Sequence, residues 1–311
     1  AMIAPDPLHG GVPMKLIRCA TLSVADVAAA SARYCRWLDY REVESGAVPG
    51  TLAASWGAPG AAGQRYVVLQ PESGRDVFLR FVESPPHPDY EPLRSYGWNA
   101  IEICVDDVLA VDARLQQSPF EIIGPPRELD GMPAIFPMQV RGPDGEIVYL
   151  TQIRDDLPEY DLPRAQSLID CLFILVAGCS DLEASLAWVA KHLHLDAGRS
   201  MAIVYTMIAN AYGLPESEPH ALATMTHGRD VFLELDQYPD AAITRPQHEG
   251  HLVPGVALGS FIHPEFDRVA ASCDGLWVTE PAVYDSCVYG GRAAATVAAP
   301  DGTLYEVIDW G

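Results

Sequence analysis

No stretch of the sequence is apolar over the roughly 20 residues that a membrane-spanning helix needs. Positive charge is also scarce: 20 lysine and arginine residues stand against 42 aspartate and glutamate residues, a formal net charge of −22 at pH 7. Phosphate backbones and anionic lipid surfaces repel a chain this acidic. We therefore expect neither a nucleic-acid partner nor a membrane partner.

Several common motifs are missing as well. The sequence contains no Walker loop, no Gly-x-Gly-x-x-Gly and no Gly-x-Ser-x-Gly, so neither a phosphate-cradling loop nor a serine hydrolase is indicated. None of the seven cysteines forms a Cys-x-x-Cys pair, and several lie in apolar runs, which is typical of free thiols in a reducing compartment. Residues 1–13 read as a loop or disordered segment without a secretory leader, so we expect a cytoplasmic protein.

The strongest positive signal is an internal repeat. The chain has 311 residues, of which 49% are apolar, enough for about two domains with sizeable cores. The hexapeptide GRDVFL at residues 74–79 recurs unchanged at 228–233, an offset of 228 − 74 = 154 residues. Two further pairs of segments match at nearly the same spacing: 16–19 with 168–171, and 143–145 with 300–302. The sequence therefore predicts a duplicated chain.

Charge and two prolines interrupt the apolar pattern between the repeats. We therefore predict an N-terminal domain at residues 14–153, a linker at 154–165 and a C-terminal domain at 166–311.

Each predicted domain contains two similar series of elements. Strand candidates are followed by an aspartate that can cap a helix, namely Asp26, Asp107 and Asp181. Further strands follow each helix, and a Pro-Asp-Gly turn closes the last hairpin of each half. The order predicts two βαβββ modules in each half, or four modules in all.

Four segments resemble the vicinal oxygen chelate superfamily, which includes glyoxalases, extradiol dioxygenases and bleomycin-resistance proteins. They are LSVAD at 22–26, EICVDDV at 102–108, GPDGEIVYL at 142–150 and PDGTLYEV at 300–307. The resemblance extends from Leu16 to Trp310. It implies an α+β fold of paired βαβββ modules, in which each half forms a curved mixed sheet around a cleft. A divalent metal usually sits in such a cleft, held by His or Gln on opening strands and Glu on closing strands.

Most of these ligand positions hold other residues in this chain. The opening-strand positions fall on Cys19, Cys171, Ala100 and residues 256–258, and the closing-strand positions on Tyr149 and Glu306. Only Glu306 keeps the family's ligand type, and one carboxylate does not hold a catalytic metal. A loop folding over the cleft could bring His251 to Glu306. We therefore expect either no cofactor or one divalent metal, bound by Glu306 and His251.

Three residues are the candidate catalytic groups. Glu102 lies in an otherwise apolar strand, where a carboxylate is costly unless it is paired, with an arginine such as Arg80, or used in chemistry. Glu306 alternates onto the cleft face as a base or ligand, or else pairs with an arginine. Tyr149 either forms a hydrogen bond in the cleft or is a core tyrosine.

Four more residues are predicted to line the ligand-binding cleft: Cys19, Cys171, Arg80 and Glu234. Cys19 and Cys171 occupy equivalent places in the two halves. As thiolates they could bind a soft metal, whereas a buried cysteine usually acts as a small hydrophobe.

Two functions remain open from the sequence. The first is an enzyme acting on a small aromatic or carbonyl compound, as a lyase, isomerase or ring-cleaving dioxygenase. The second is a metal-free protein that binds or sequesters a small molecule, as bleomycin-resistance proteins do. A small-molecule ligand is expected in both cases, and a homodimer is possible.

Overall fold

The computed structural model describes residues 15–129 and 131–311. The predicted loop or disordered segment at 1–13 lies outside the described residues. None of the helices in the described part of the chain combines the length and the apolar character that crossing a bilayer requires.

The first half of the chain forms eight strands and three helices, and a short 3₁₀ turn at Pro59–Ala61. They are β1 (Ile17–Val24), α1 (Val27–Trp37), β2 (Tyr40–Ala47), α2 (Gly50–Ser55), β3 (Arg65–Pro71), β4 (Phe78–Glu83), β5 (Gly97–Val105), α3 (Val108–Leu115), β6 (Glu121–Gly124), β7 (Ile135–Arg141) and β8 (Ile147–Ile153).

The second half also forms eight strands and three helices. Its elements are β9 (Ile169–Cys179), α4 (Leu182–Leu193), β10 (Asp196–Val204), α5 (Thr206–Tyr212), β11 (Pro219–His227), β12 (Asp230–Gln237), β13 (Gly255–His263), α6 (Phe266–Ser272), β14 (Ala282–Val283), β15 (Ala293–Ala298) and β16 (Leu304–Asp309). Four modules, beginning at β1, β5, β9 and β13, therefore follow one another along the chain.

Three helices begin at the aspartates that the sequence indicates. Asp26 accepts hydrogen bonds from the first-turn amides of α1, Asp107 from those of α3 and Asp181 from one of α4. Each carboxylate satisfies backbone donors that have no partner inside the helix, which fixes where the helix starts.

The sixteen strands form two eight-stranded mixed sheets, which confirms the predicted α+β class. The first sheet has the order β14-β15-β16-β13-β1-β4-β3-β2 and the second β10-β11-β12-β9-β5-β8-β7-β6. The first sheet therefore joins modules one and four, and the second joins modules two and three.

This pairing corrects the expectation that each half forms its own sheet around its own cleft. The opening strand of each module pairs with its own closing strand on one side and has a free edge on the other. β1 fills this edge with β13, and β5 fills it with β9, both in antiparallel register. The repeat identifies the modules but carries no information about which edges meet. The boundaries of the two predicted domains stay a prediction.

Side chains alternate between the two faces of each sheet. The main core covers one face of both sheets and extends to Tyr149 and Ile174 on the other face of the second sheet. This main core includes Leu22 and Phe81 of the first sheet, Ile103 and Leu175 of the second, and residues of the helices. A second core lies on the opposite face of the first sheet and contains Trp56 among others. We call the face that carries Glu306 in the first sheet, and the face that carries Glu102 in the second, the outer face of that sheet.

The two Pro-Asp-Gly turns hold the modules of each half together in the same way. The carboxylate of Asp144 accepts a hydrogen bond from Ala25 N at 2.8 Å and pairs with Arg33. The carboxylate of Asp301 accepts hydrogen bonds from the amide and hydroxyl of Ser180, at 2.9 and 2.6 Å. Each turn thus binds the segment that enters a helix of the preceding module.

Replacing either aspartate should loosen this contact. We expect Asp144→Ala and Asp301→Ala each to lower the free energy of unfolding by about 1–2 kcal/mol, because charge-assisted hydrogen bonds are lost. The two losses should add, since Asp144 and Asp301 bind different segments and share no hydrogen-bond partner. Urea unfolding measures them, with the exposed Asp274→Ala as the control. An unchanged unfolding midpoint in both variants would contradict a stabilising role for these two turns.

Candidate functional site

Two sets of polar side chains lie on the outer faces, at the four central strands of each sheet. We call the set formed by Thr21, Arg80, Ser260 and Glu306 in the first sheet the arginine site. The set formed by Glu102, Tyr149, Thr151 and Glu234 in the second sheet is the carboxyl site. The repeat relates them, because Arg80 and Glu234 each directly follow one copy of the hexapeptide GRDVFL.

The arginine site is a closed hydrogen-bonding network. One oxygen of Glu306 accepts from Trp56 Nε1 at 2.8 Å and from the Tyr289 hydroxyl at 3.0 Å. The other accepts from Ser260 Oγ at 2.6 Å and from Arg80 Nη2 at 3.4 Å. Glu306 is therefore paired with an arginine, which is one of the two roles expected for it. The alternative in which Arg80 pairs with Glu102 is wrong, because Arg80 pairs with Glu306 instead.

Little space remains around this ion pair. The second core packs over it, and the adjoining cavity measures only about 20 Å³, close to the room that one water needs. Burial works against the charge of Arg80, but Tyr289, Glu306 and Cys19 outweigh burial and raise the pKa of its guanidinium. Burial also raises the pKa of the Cys19 thiol to about 12, so a neutral thiol lies beside the pair.

The arginine site does not fit a divalent metal. Each oxygen of its one carboxylate, that of Glu306, already accepts two hydrogen bonds. The guanidinium of Arg80 occupies the adjacent position, where its positive charge would repel a metal ion. The ring of His251, the other predicted ligand, lies against Gly60 and His248, and His251 is not among the hydrogen-bond partners of Glu306. Among residues 15–129 and 131–311, no group of three or more His, Cys, Asp and Glu side chains is placed to hold a metal ion.

Removing only the cation from this network should be costly. We expect Arg80→Met to lower the free energy of unfolding by about 3–5 kcal/mol, because Glu306 stays buried without a counter-charge. The double variant Arg80→Met/Glu306→Gln should recover part of this loss, since neither charge is then buried. Urea unfolding of the single and double variants measures the coupling. Losses that simply add would contradict an ion pair at this position.

The carboxyl site has the opposite charge balance. Glu102 and Glu234 are 7% and 9% exposed and lie on β5 and β12, with β9 between them. One oxygen of Glu102 accepts a hydrogen bond from Thr151 at 2.6 Å, and one oxygen of Glu234 accepts from the Tyr205 hydroxyl at 2.9 Å. Among the described residues, the second oxygen of Glu102 has no hydrogen-bond partner, whereas the carboxyl group of Glu234 also contacts that of Asp236.

The pKa values of this site follow from burial without a cation. Burial, and then the nearby Glu234, raise the pKa of Glu102 from 4.5 to about 8. Burial likewise raises the pKa of Glu234. Asp236, two residues further along the same face of β12, accepts no hydrogen bond from a described donor and lies against Glu234. Burial, and then this neighbouring acid, raise the pKa of Asp236 well above the usual range. At neutral pH, Glu102 therefore keeps its proton.

Both carboxyl groups face a cavity of about 80 Å³ that opens to solvent. Its walls are mostly apolar and come from the strands, the segment before β7 and the predicted linker. The lining residues are Glu102, Leu129, Met132, Ile135, Pro137, Gln139, Tyr149, Thr151, Ile153, Leu157, Tyr160, Leu162, Phe173, Ile174, Met201, Ile203, Tyr205, Thr224, Val231 and Glu234. An enclosed, apolar cavity with a few convergent polar groups is the usual form of a small-molecule site.

The predicted linker forms one wall of this cavity. The Tyr160 hydroxyl lies 3.2 Å from Thr224 Oγ1 and accepts a hydrogen bond from Arg199 N at 2.9 Å. Arg229 Nε donates to the Asp161 carboxylate at 2.8 Å, which ties the linker to the β11–β12 turn. The linker therefore encloses the site as well as joining the two halves.

The structure divides the residues predicted for a single cleft among several places. Glu102, Tyr149 and Glu234 meet in the carboxyl site. Glu306, Arg80 and Cys19 meet in the arginine site. Cys171 lines neither, and instead borders a separate cavity of about 280 Å³ near Lys15 and Arg75.

Three side chains of the carboxyl site carried no recognisable sequence signal. Thr151 lies in an apolar closing strand, Tyr160 in a segment assigned as a linker, and Tyr205 between β10 and α5, which the sequence pattern did not predict. The repeat does give one signal for the carboxyl site. It aligns Glu234 with Arg80, so the same position carries a negative charge in one half and a positive charge in the other.

The raised pKa of Glu102 makes stability depend on pH. In the unfolded chain Glu102 releases its proton near pH 4.5, whereas in the folded protein it keeps the proton up to about pH 8. The free energy of unfolding therefore falls as pH rises between these two values. We expect Glu102→Gln to remove the loss and to be about 2–4 kcal/mol more stable than the parent near pH 8. The exposed Glu249→Gln serves as the control in urea unfolding at several pH values. Parallel pH profiles for parent and Glu102→Gln would contradict the raised pKa.

No protein-family model matches the chain, and no curated protein matches it either. Solved structures do match over nearly the whole length. A variant of glyoxalase I from Zea mays is 15% identical, with 94% of this chain and 93% of that chain covered and a TM-score of 0.64. A putative dioxygenase from Bacillus subtilis subsp. subtilis str. 168 is 10% identical, with 96% and 86% covered and a TM-score of 0.62. At such low identity the likeness shows the fold alone: the chain has the vicinal oxygen chelate fold, which confirms the predicted resemblance.

Proposed function

We propose that the carboxyl site binds a small organic molecule and transfers a proton to or from it, in a reaction of the lyase or isomerase type. The observation that carries the proposal is the pair of buried carboxyl groups, Glu102 and Glu234, that face one solvent-connected cavity without a cation among its described lining residues. The glyoxalase-like and dioxygenase-like fold supports a small-molecule ligand.

The site contains the groups that such a reaction needs. A carboxyl group with a pKa of about 8 accepts and releases protons near neutral pH, which is where a general acid or base works best. Glu234 lies on the other side of β9, so a proton can be taken from one part of a ligand and another returned elsewhere. The Tyr149 hydroxyl, kept protonated because burial raises its pKa, can donate to a ligand oxygen.

Ring cleavage by oxygen, the third reaction expected from the sequence, has less support. It needs a redox centre, and the donor set of neither site fits a metal with three protein ligands. The carboxyl site has two carboxyl groups in the cavity and no histidine or cysteine among its described lining residues. No step is therefore assigned to a metal.

A second candidate is a protein that binds or sequesters its ligand without changing it. The observation that favours it is the wall of the cavity, where apolar and aromatic side chains outnumber the polar groups. Both candidates use the same cavity and differ only in whether protons move.

We also propose a cellular location for the protein. All seven cysteines are free, in agreement with a reducing compartment, and we propose the cytoplasm. A homodimer stays a prediction.

Proton transfer can be tested before the natural substrate is known. We expect some members of a panel of ketones, 1,2-dicarbonyl compounds and hydroxylated aromatics to raise the melting temperature, and at least one to exchange C–H for C–D in D₂O. Glu102→Gln and Glu234→Gln should slow this exchange at least 100-fold, and Glu249→Gln should not. NMR follows the exchange.

The possible results separate the two candidates. Binding in the cavity without exchange would contradict the enzyme and favour the binding protein. Exchange that survives in both glutamine variants would contradict the roles of the two carboxyl groups. A panel without any binding would contradict both candidates.

A further inference from the structure

We propose that the ligand of the carboxyl site is an organic cation, whose ammonium group lies between Glu102 and Glu234 and whose hydrocarbon part packs against the aromatic walls. This inference rests on the proposed function, since it names the class of molecule that the same cavity binds.

The charge balance of the cavity is the first argument. Glu102 and Glu234 both face it, and none of its described lining residues is a lysine, arginine or histidine. In the corresponding place of the first sheet, Arg80 balances the carboxylate of Glu306. Two buried acids without a cation leave a site in which a positive ligand gains and a negative ligand loses electrostatic energy.

The free acceptors are the second argument. Glu102 has one oxygen that accepts from Thr151 and one without a partner among the described residues. Glu234 accepts from Tyr205 and lies against Asp236, a second acid that brings no positive charge. An ammonium group has only donors, so it supplies what the free oxygen of Glu102 and the acids of β12 lack. A ligand carboxylate has only acceptors and finds no such partner here.

The aromatic walls are the third argument. Tyr149, Tyr160, Phe173 and Tyr205 line the cavity, and the rings of Tyr149 and Tyr205 have centroids 6.3 Å apart. Aromatic faces attract organic cations and also bury hydrocarbon. The net charge of −22 adds a long-range attraction for cations over the whole molecule.

Binding of such a ligand must displace the proton that Glu102 holds in the empty site. The amine arrives already protonated, the O–H bond of Glu102 breaks and its proton passes to solvent. Other ionisable groups surround Glu102 on every element packed against it: Cys104 on its own strand, Tyr149 on β8, Glu234 and Asp236 on β12, Tyr205 before α5 and Tyr160 in the linker. None of these groups is positively charged, so the cation must come from the ligand.

Three compounds that share one ring and differ in charge test this inference: benzylamine, benzyl alcohol and benzoate. Near pH 8 we expect benzylamine to bind at least tenfold more tightly than benzyl alcohol, and benzoate not to bind at about 10 mM. The affinity for benzylamine should rise at least tenfold from about pH 6 to pH 8, because Glu102 ionises over this range. Calorimetry in two buffers of different ionisation enthalpy should show proton release.

Two glutamine variants separate a charge effect from a loss of fold. In Glu102→Gln, which we expect to be the more stable protein near pH 8, the affinity for benzylamine should fall at least tenfold toward that for benzyl alcohol, and its pH dependence should weaken, because only the acids of β12 remain. The affinity for benzyl alcohol should change less than about twofold. Glu249→Gln should leave all three affinities unchanged.

Each contrary result has a distinct meaning. Benzyl alcohol binding as tightly as benzylamine, or an amine affinity that does not change with pH, would overturn this inference and leave the proposed function intact. Binding of none of the three compounds, together with no thermal shift from the panel described above, would overturn both.

Discussion

A carboxyl group buried away from water needs a compensating charge, a full set of hydrogen bonds or a proton, and this requirement shapes both sites of the protein. In the first sheet, Glu306 has a guanidinium and three neutral donors, and the surrounding space is filled. In the second sheet, Glu102 and Glu234 have one donor each and no cation, and the adjoining space is open. The same fold has therefore produced one sealed site and one site prepared to accept a ligand.

The pairing of the modules across the two halves makes this contrast possible. Because β1 pairs with β13 and β5 with β9, each site draws its side chains from both halves of the chain. Arg80 and Glu234 hold equivalent positions in the repeat but lie in different sheets. A reversal of charge at this single position places a cation in the first site and an acid in the second. The linker, which joins the halves, closes one wall of the open site through Tyr160.

Much of the fold could be predicted from the sequence, because the signals are local. The aspartate caps, the hairpin turns and the four modules depend on neighbouring residues and appear where the pattern places them. The bounds of strands β2 and β10 were not predictable, since these strands lie at sheet edges with mostly exposed side chains and lack an apolar alternation. Which opening strand pairs with which could not be predicted from the sequence either, because every module presents a similar free edge.

The site was predictable only in part, for the same reason. Glu102 could be predicted as a site residue because a carboxyl group in an apolar strand is costly unless it is paired or used. Glu234 was also predicted to line the cleft. Their meeting across β9, and the separation of Glu306 from them, depend on which modules pair. Tyr160 and Tyr205 contribute through long-range contacts that no local pattern encodes.

The central claim is that Glu102 is buried beside another acid without a cation, and its titration tests this most directly. Protein labelled with ¹³C at the glutamate carboxyl carbons reports each pKa by NMR, and Glu102→Gln identifies the signal of Glu102. The account predicts a carboxyl group in the ligand-free protein that titrates at about 8. A Glu102 that titrates near 4.5, as an ordinary exposed glutamate does, would contradict it.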